Sequence, residues 1–102
     1  MQDFISAKQE EIAALCRTHH VRRLAIFGSA IREDFDPARS DVDVLVDFEE
    51  MPIEIYGENK HALRRALELA FDRNVDLLTW KYVRNPYFLR EVESTHELLY
   101  AA

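Results

Sequence analysis

With one cysteine, Cys16, the chain cannot close an internal disulfide. That suits a reducing compartment, so a cytoplasmic location is expected. No apolar run approaches the ~20 residues that span a bilayer, which excludes a helical membrane anchor. Asp3, Glu10 and Glu11 interrupt the N-terminal region, so no signal peptide is expected. Basic residues are also in short supply: thirteen against nineteen acidic ones, a net charge of -6. A general nucleic-acid binder normally carries a basic stripe, so direct nucleic-acid binding is not expected. A nucleotide remains compatible, because one metal-neutralised pocket can hold phosphates on an acidic protein. There is no internal repeat, no low-complexity segment, no GxxxxGK[ST] phosphate loop and no GxGxxG. What is present is 48% apolar residues in 102, enough for one small domain over residues 1–102. A chain of this size buries a modest share of its surface, so its stability is expected to be marginal without a partner.

The residues predict alternating helices and strands. Asp3 to about His19 has Ile5, Ile12, Leu15 and Cys16 on one stripe of a helix, with Asp3 or Ser6 as cap and a Ser6–Gln9 capping box. His19 and His20 fall near its C-terminus, where positive charge is favourable. Val21–Phe27 and Val42–Phe48 read as strands, and Val75–Trp80 as a third. Ser29 to about Glu33 allows one or two helical turns, followed by a turn at Asp34-Phe35-Asp36-Pro37. Glu49–Gly57 is expected to be loop. Glu58–Phe71 is a helix with Leu63, Ala66, Leu67 and Ala70 on one face. Asn85-Pro86 caps a last helix over Tyr87–Ser94. The Leu98-Leu99-Tyr100 segment either pairs briefly or packs.

The chemistry centres on two places. Leu24-Ala25-Ile26-Phe27 runs into Gly28-Ser29, and Asp41 and Asp43 open the second strand. Aspartates at i and i+2 of a strand project from one face, where their charges repel. A hard divalent cation relieves that repulsion, and Mg²⁺ bridges carboxylates to substrate phosphates. Gly28 lets backbone approach a phosphate without a Cβ in the way, and Ser29 opens a helix N-terminus that favours an anion. Triphosphate at the turn and metal at the acids is a layout for nucleotidyl transfer. If Gly28-Ser29 and Asp41 share a site, the first two strands are antiparallel. If Asp76 joins them, the second and third strands are parallel, with the Glu58–Phe71 helix crossing over. The fold expected is therefore α/β (α+β): a small mixed sheet of three or four strands flanked by helices. A dinucleotide fold would not place its acids this way.

Phe27-Gly28-Ser29 followed by Ser40-Asp41-Val42-Asp43 resembles the Gly-Ser…Asp-x-Asp signature of the polymerase-β-like nucleotidyltransferase superfamily. In size and flanks the chain is similar to its minimal nucleotidyltransferase (MNT) branch, over nearly the whole length. That resemblance implies that Asp41 and Asp43 hold Mg²⁺. It implies that Asp76 completes the metal site and helps activate the attacking hydroxyl, and that Gly28 and Ser29 bind the triphosphate of ATP. It implies a HEPN-domain RNase toxin as partner, silenced by transfer of AMP to a tyrosine. Many relatives continue Gly-Ser-x-Ala-Arg-Gly. Here Arg32 matches the arginine, and Glu33 stands in place of the glycine, adding negative charge near the phosphates. Glu33 and the small size motivate the alternative, an antitoxin that neutralises by binding alone. Transfer to a small molecule or an RNA end fits the acidic charge less well.

Arg32 and Arg39 are candidates for phosphate contact, with a solvated loop charge as the competing reading. Asp47 shares a face with the motif acids but is expected to meet solvent or a partner. Trp80, Tyr82, Tyr87 and Phe88 are expected to pack, or to form a partner surface if exposed. Lys60, His61, Arg64 and Arg65 read as the wet face of a helix, and Cys16 as a small core residue.

Overall fold

The computed structural model describes residues 3–28 and 41–102. The expected turn over 29–40, with Ser29, Arg32, Glu33 and Arg39, lies outside the described residues. In order, the elements are α1 (Asp3–Ser6), α2 (Gln9–Thr18), β1 (Val21–Phe27), β2 (Val42–Phe48), α3 (Ile53–Phe71), β3 (Val75–Thr79), a 3₁₀ turn (Trp80–Tyr82), α4 (Pro86–Thr95) and β4 (Glu97–Ala101). The strands form one sheet in the order β3-β2-β1-β4. β1 runs antiparallel to both β2 and β4, while β2 and β3 are parallel. The mixed sheet follows from α3, which carries the chain from the end of β2 back to the start of β3, as a parallel pair requires.

Alternation along the strands sends side chains to two unequal cores. Leu24, Ile26, Val42, Val44 and Val46 point to the larger one, where Ile12, Cys16, Leu63 and Leu67 from the helices are fully buried. Ala25, Phe27 and Leu45 point to the smaller one, closed by Trp80 and Val92. α1, α2 and α3 thus cover one face of the sheet, and α4 covers part of the other. Among the described residues, no helix is long and apolar enough to cross a membrane.

Three expectations at the helices are corrected. The N-terminal helix breaks in two between Ser6 and Gln9, and the Ser6–Gln9 capping box does not form: Lys8 is the N-cap of α2, with no side-chain cap bond. Ala7 and Lys8 are both good helix formers, so the break carries no local signal. Residues 53–57 are helical, not loop, because Pro52 with φ -58° and ψ 142° sets the start of α3. Gly57 sits inside that helix with open space where a Cβ would be. A single exposed glycine costs a helix only about 1 kcal/mol, which the packing of Leu63, Leu67 and Phe71 outweighs. The third correction is small: Trp80 leaves β3 and begins the 3₁₀ turn.

Other features match the residues that set them. The Asn85 side chain accepts hydrogen bonds from the backbone N–H of Tyr87 (2.9 Å) and Phe88 (3.2 Å), with Pro86 opening α4. Asn85→Ala is expected to cost about 1 kcal/mol, read as a lower midpoint in thermal or urea melts. β4 does pair, against β1, and is the fourth strand of the sheet among the described residues. His19 Nδ1 donates to the Leu15 carbonyl (2.8 Å), and His20 takes a left-handed φ of 59° that turns the chain into β1. On α3, His61 and Arg65 are exposed as a solvated face requires, whereas Lys60 and Arg64 are half-buried. Cys16 is fully buried, and desolvation pushes its thiol up to about 12. The native protein is expected to resist iodoacetamide at pH 8 and to react only when unfolded in urea, as followed by mass spectrometry.

Candidate active site

Two strand registers build the site. Across the antiparallel pair, Phe27 lies opposite Asp43. Across the parallel pair, Asp43 lies opposite Asp76. Residues directly opposite share a face, so Asp43 and Asp76 rise side by side. Asp41 stands two residues before Asp43, immediately before the first residue of β2. The face of Asp43 and Asp76 is the one that carries α4, not the face of the larger core. All three acids stand where the sheet begins to run out of cover: Asp41 and Asp76 are exposed and Asp43 is half-buried.

Gly28 abuts this row. Its φ is +67°, a conformation in which a side chain is strained. A Cβ on Gly28 would stand 2.6 Å from Asp43 Oδ2. The left-handed backbone is therefore what requires glycine here, and a Cβ would in addition push the Asp43 carboxylate aside. Ser29, the other half of the motif, lies outside the described residues, as do Arg32 and Arg39.

Oxygen donors on one face suit a hard cation such as Mg²⁺. Among the described residues, no three His, Cys, Asp or Glu side chains are gathered closely enough to cage a metal ion. The arrangement nevertheless fits Mg²⁺, which is usually held by one or two carboxylates and completed by water and substrate phosphates rather than by an all-protein cage. Asp41 and Asp43 are the two carboxylates nearest that role, with Asp76 beside them in register.

A cavity of about 380 Å³ adjoins the site. Phe27, Gly28 and Asp43 form its sheet side, and one stripe of α4, Phe88, Glu91, Val92 and Thr95, forms the other. Phe88 meets Phe27 edge-on, ring centroids 5.5 Å apart. Sequence reasoning missed this wall. The signal was available in the i, i+3, i+4, i+7 spacing of those four residues, with two polar members in an otherwise apolar stripe.

Asp47 corrects an expectation. It is not a free surface acid but is half-buried and bridged to Arg23, Nε to Oδ2 3.4 Å. The Arg23 guanidinium lies 3.7 Å from the centre of the Trp80 ring. Asp47 thus ties β2 to β1 at the far end of the same face and takes no part in the acidic row. Trp80 is buried and Phe88 half-buried, whereas Tyr82 and Tyr87 are exposed.

A left-handed glycine set against carboxylates in register, on the α4 face of a small mixed sheet, points to a class: a nucleotidyl-transferring fold. The chain belongs to the nucleotidyltransferase domain family, whose model matches residues 9–99. It is 32% identical over 82 residues to "Putative protein adenylyltransferase MJ1379" of Methanocaldococcus jannaschii, covering 80% of this chain and 78% of that protein. Among solved structures it is similar to a chain described as "putative minimal nucleotidyltransferase", with a TM-score of 0.70, 28% identity, and coverage of 94% and 95% of the two chains. It also shares its fold with a chain from the complex of a tri-AMPylated Shewanella oneidensis HEPN toxin with an MNT antitoxin. There the TM-score is 0.65 at 19% identity, with coverage of 96% of this chain and 73% of that one.

Proposed function

We propose that this nucleotidyltransferase moves AMP from ATP, with Mg²⁺, onto a tyrosine hydroxyl of a HEPN-domain RNase toxin, and so acts as its antitoxin. The observation that carries this reading is the register of Phe27, Asp43 and Asp76 across three adjacent strands, with Gly28, just past the end of β1, set against the Asp43 carboxylate. The adenylyltransferase name of the archaeal relative and the AMP groups on the toxin of the Shewanella complex support the choice of AMP and of a protein acceptor.

In this reading Gly28 and Ser29 hold the triphosphate through backbone N–H groups, with Arg32 and Arg39 as further phosphate contacts. Asp41 and Asp43 are the residues that would hold Mg²⁺, with Asp76 opposite Asp43 on the next strand. When bound, the cation supplies neutralisation of the charge that builds on the phosphates. Asp76 orients the tyrosine hydroxyl and takes its proton. The phenolic oxygen forms a bond to the α-phosphorus, and the bond from that phosphorus to the bridging oxygen breaks. Pyrophosphate departs with the electron pair.

The test is direct. The purified chain is incubated with its candidate HEPN toxin, Mg²⁺ and α-labelled ATP, and the labelled residue is mapped by mass spectrometry. Label on a toxin tyrosine is the expected result. Absence of label from the toxin, with both proteins folded, overturns the proposal.

A further inference from the structure

The cavity between the sheet and α4 has the dimensions of a ligand site, at about 380 Å³. Its position relative to the acids indicates which part of the substrates it takes. Among the described residues, the cavity touches Asp43 on β2, Phe27 at the end of β1 and Gly28 just beyond it, but no residue of β3. Asp76 stands on β3, on the opposite flank of Asp43. An acceptor hydroxyl served by Asp76 therefore enters from the β3 flank. The β1 and α4 flank is left for the nucleoside end of the donor.

Among the described residues, the lining has a one-sided hydrogen-bonding character. Phe27, Phe88 and Val92 give apolar surface for a flat ring. The side-chain polar groups on the α4 wall are acceptors. Glu91 brings a carboxylate. The Thr95 hydroxyl donates its proton to the Glu91 carbonyl at 2.7 Å, so it faces other groups with lone pairs alone. A wall of acceptors favours a base with an exocyclic amino group and disfavours one with a carbonyl at the same position. Adenine is of the first kind, and hypoxanthine, its 6-oxo counterpart, of the second.

The geometry points to this cavity as the nucleobase pocket, with Glu91 and Thr95 selecting an amino-bearing base held against Phe27 and Phe88. The inference rests on the nucleotidyl-transfer reading above and adds the residues that set its base preference.

Calorimetric titration of the full chain with ATP, ITP and inorganic tripolyphosphate, in Mg²⁺, tests it. Wild type is expected to bind ATP at least ~10-fold more tightly than ITP, the scale of one hydrogen bond to a charged group. Glu91→Gln keeps the shape but adds a donor, and is expected to bring that ratio below ~3-fold. Thr95→Trp, at an exposed position, fills the cavity and is expected to weaken ATP at least ~10-fold while tripolyphosphate affinity stays unchanged. Circular dichroism melts confirm that each variant is folded. Equal affinity of wild type for ATP and ITP overturns the base pocket and leaves the transfer reading standing. So does a Thr95→Trp variant that binds ATP normally but no longer labels the toxin, which would make the cavity the acceptor's. A parallel loss of tripolyphosphate binding overturns it too, by assigning the cavity to phosphates. Wild type that binds neither ATP nor tripolyphosphate overturns both readings.

Discussion

Asp43→Asn is expected to lower AMP transfer at least ~10²-fold, the loss seen when one preorganised electrostatic group is removed from a reaction centre. The double change Asp41→Ala/Asp43→Ala is expected to leave no transfer above background. Neither change touches the larger core, to which neither side chain belongs: Asp41 is exposed and Asp43 half-buried. The thermal midpoint is therefore expected to hold or to rise by a few degrees. Asp43 and Asp76 lie directly opposite on neighbouring strands, where like charges repel, and removing one of them relieves that repulsion. A transfer assay beside a melting curve checks both parts. Full transfer by the double variant would remove the acids from the reaction. A variant dead in transfer but complete in toxin neutralisation would mean that complex formation alone silences the toxin.

Gly28→Ala is expected to be the most damaging single-methyl change in the described chain. The new Cβ has a left-handed φ of +67° to endure and meets Asp43 Oδ2 at 2.6 Å. The backbone part alone costs about 1–2 kcal/mol. That corresponds to a midpoint lower by roughly 4–16 °C for a domain of this size. Activity is expected to fall with it, because the carboxylate must swing away. The two contributions separate in a double-mutant cycle. In an Asp43→Ala background the clashing oxygen is gone, so Gly28→Ala is expected to cost only the backbone part. The coupling energy, measured by urea melts of the four proteins, should exceed about 0.5 kcal/mol. A coupling near zero would mean that Gly28 is needed for its conformation alone.

The strands were the most legible part of the chain. Val21–Phe27 and Val42–Phe48 have the bounds expected from their β-branched and aromatic content, because glycine or charged residues end each run. The mixed topology was legible as well, since it followed from requiring Gly28, Asp41 and Asp76 to meet. The structure adds the register, Phe27 to Asp43 to Asp76, which depends on how strands slide and not on any local sequence feature. The start of α3 was hidden by Gly57, whose low propensity is overridden by tertiary packing. The pairing of Asp47 with Arg23 was hidden because the partners are far apart in sequence and only the β1–β2 hairpin brings them together. Half of the site, the α4 wall, went unread because Phe88, Glu91 and Thr95 match no motif.

β4 has a consequence for how the molecule is made. β1, the first strand synthesised, sits in the interior of the sheet, and its neighbour on one side is supplied by residues 97–101. Leu99 plugs the larger core from that strand, and the Ala102 N–H closes onto the Arg22 carbonyl at 2.8 Å. On the ribosome, β1 therefore lacks its β4 neighbour until residues 97–101 have cleared the exit tunnel. During that interval the nascent chain is exposed to edge-to-edge association, and a binding partner or chaperone that shields the edge would raise the yield of folded protein.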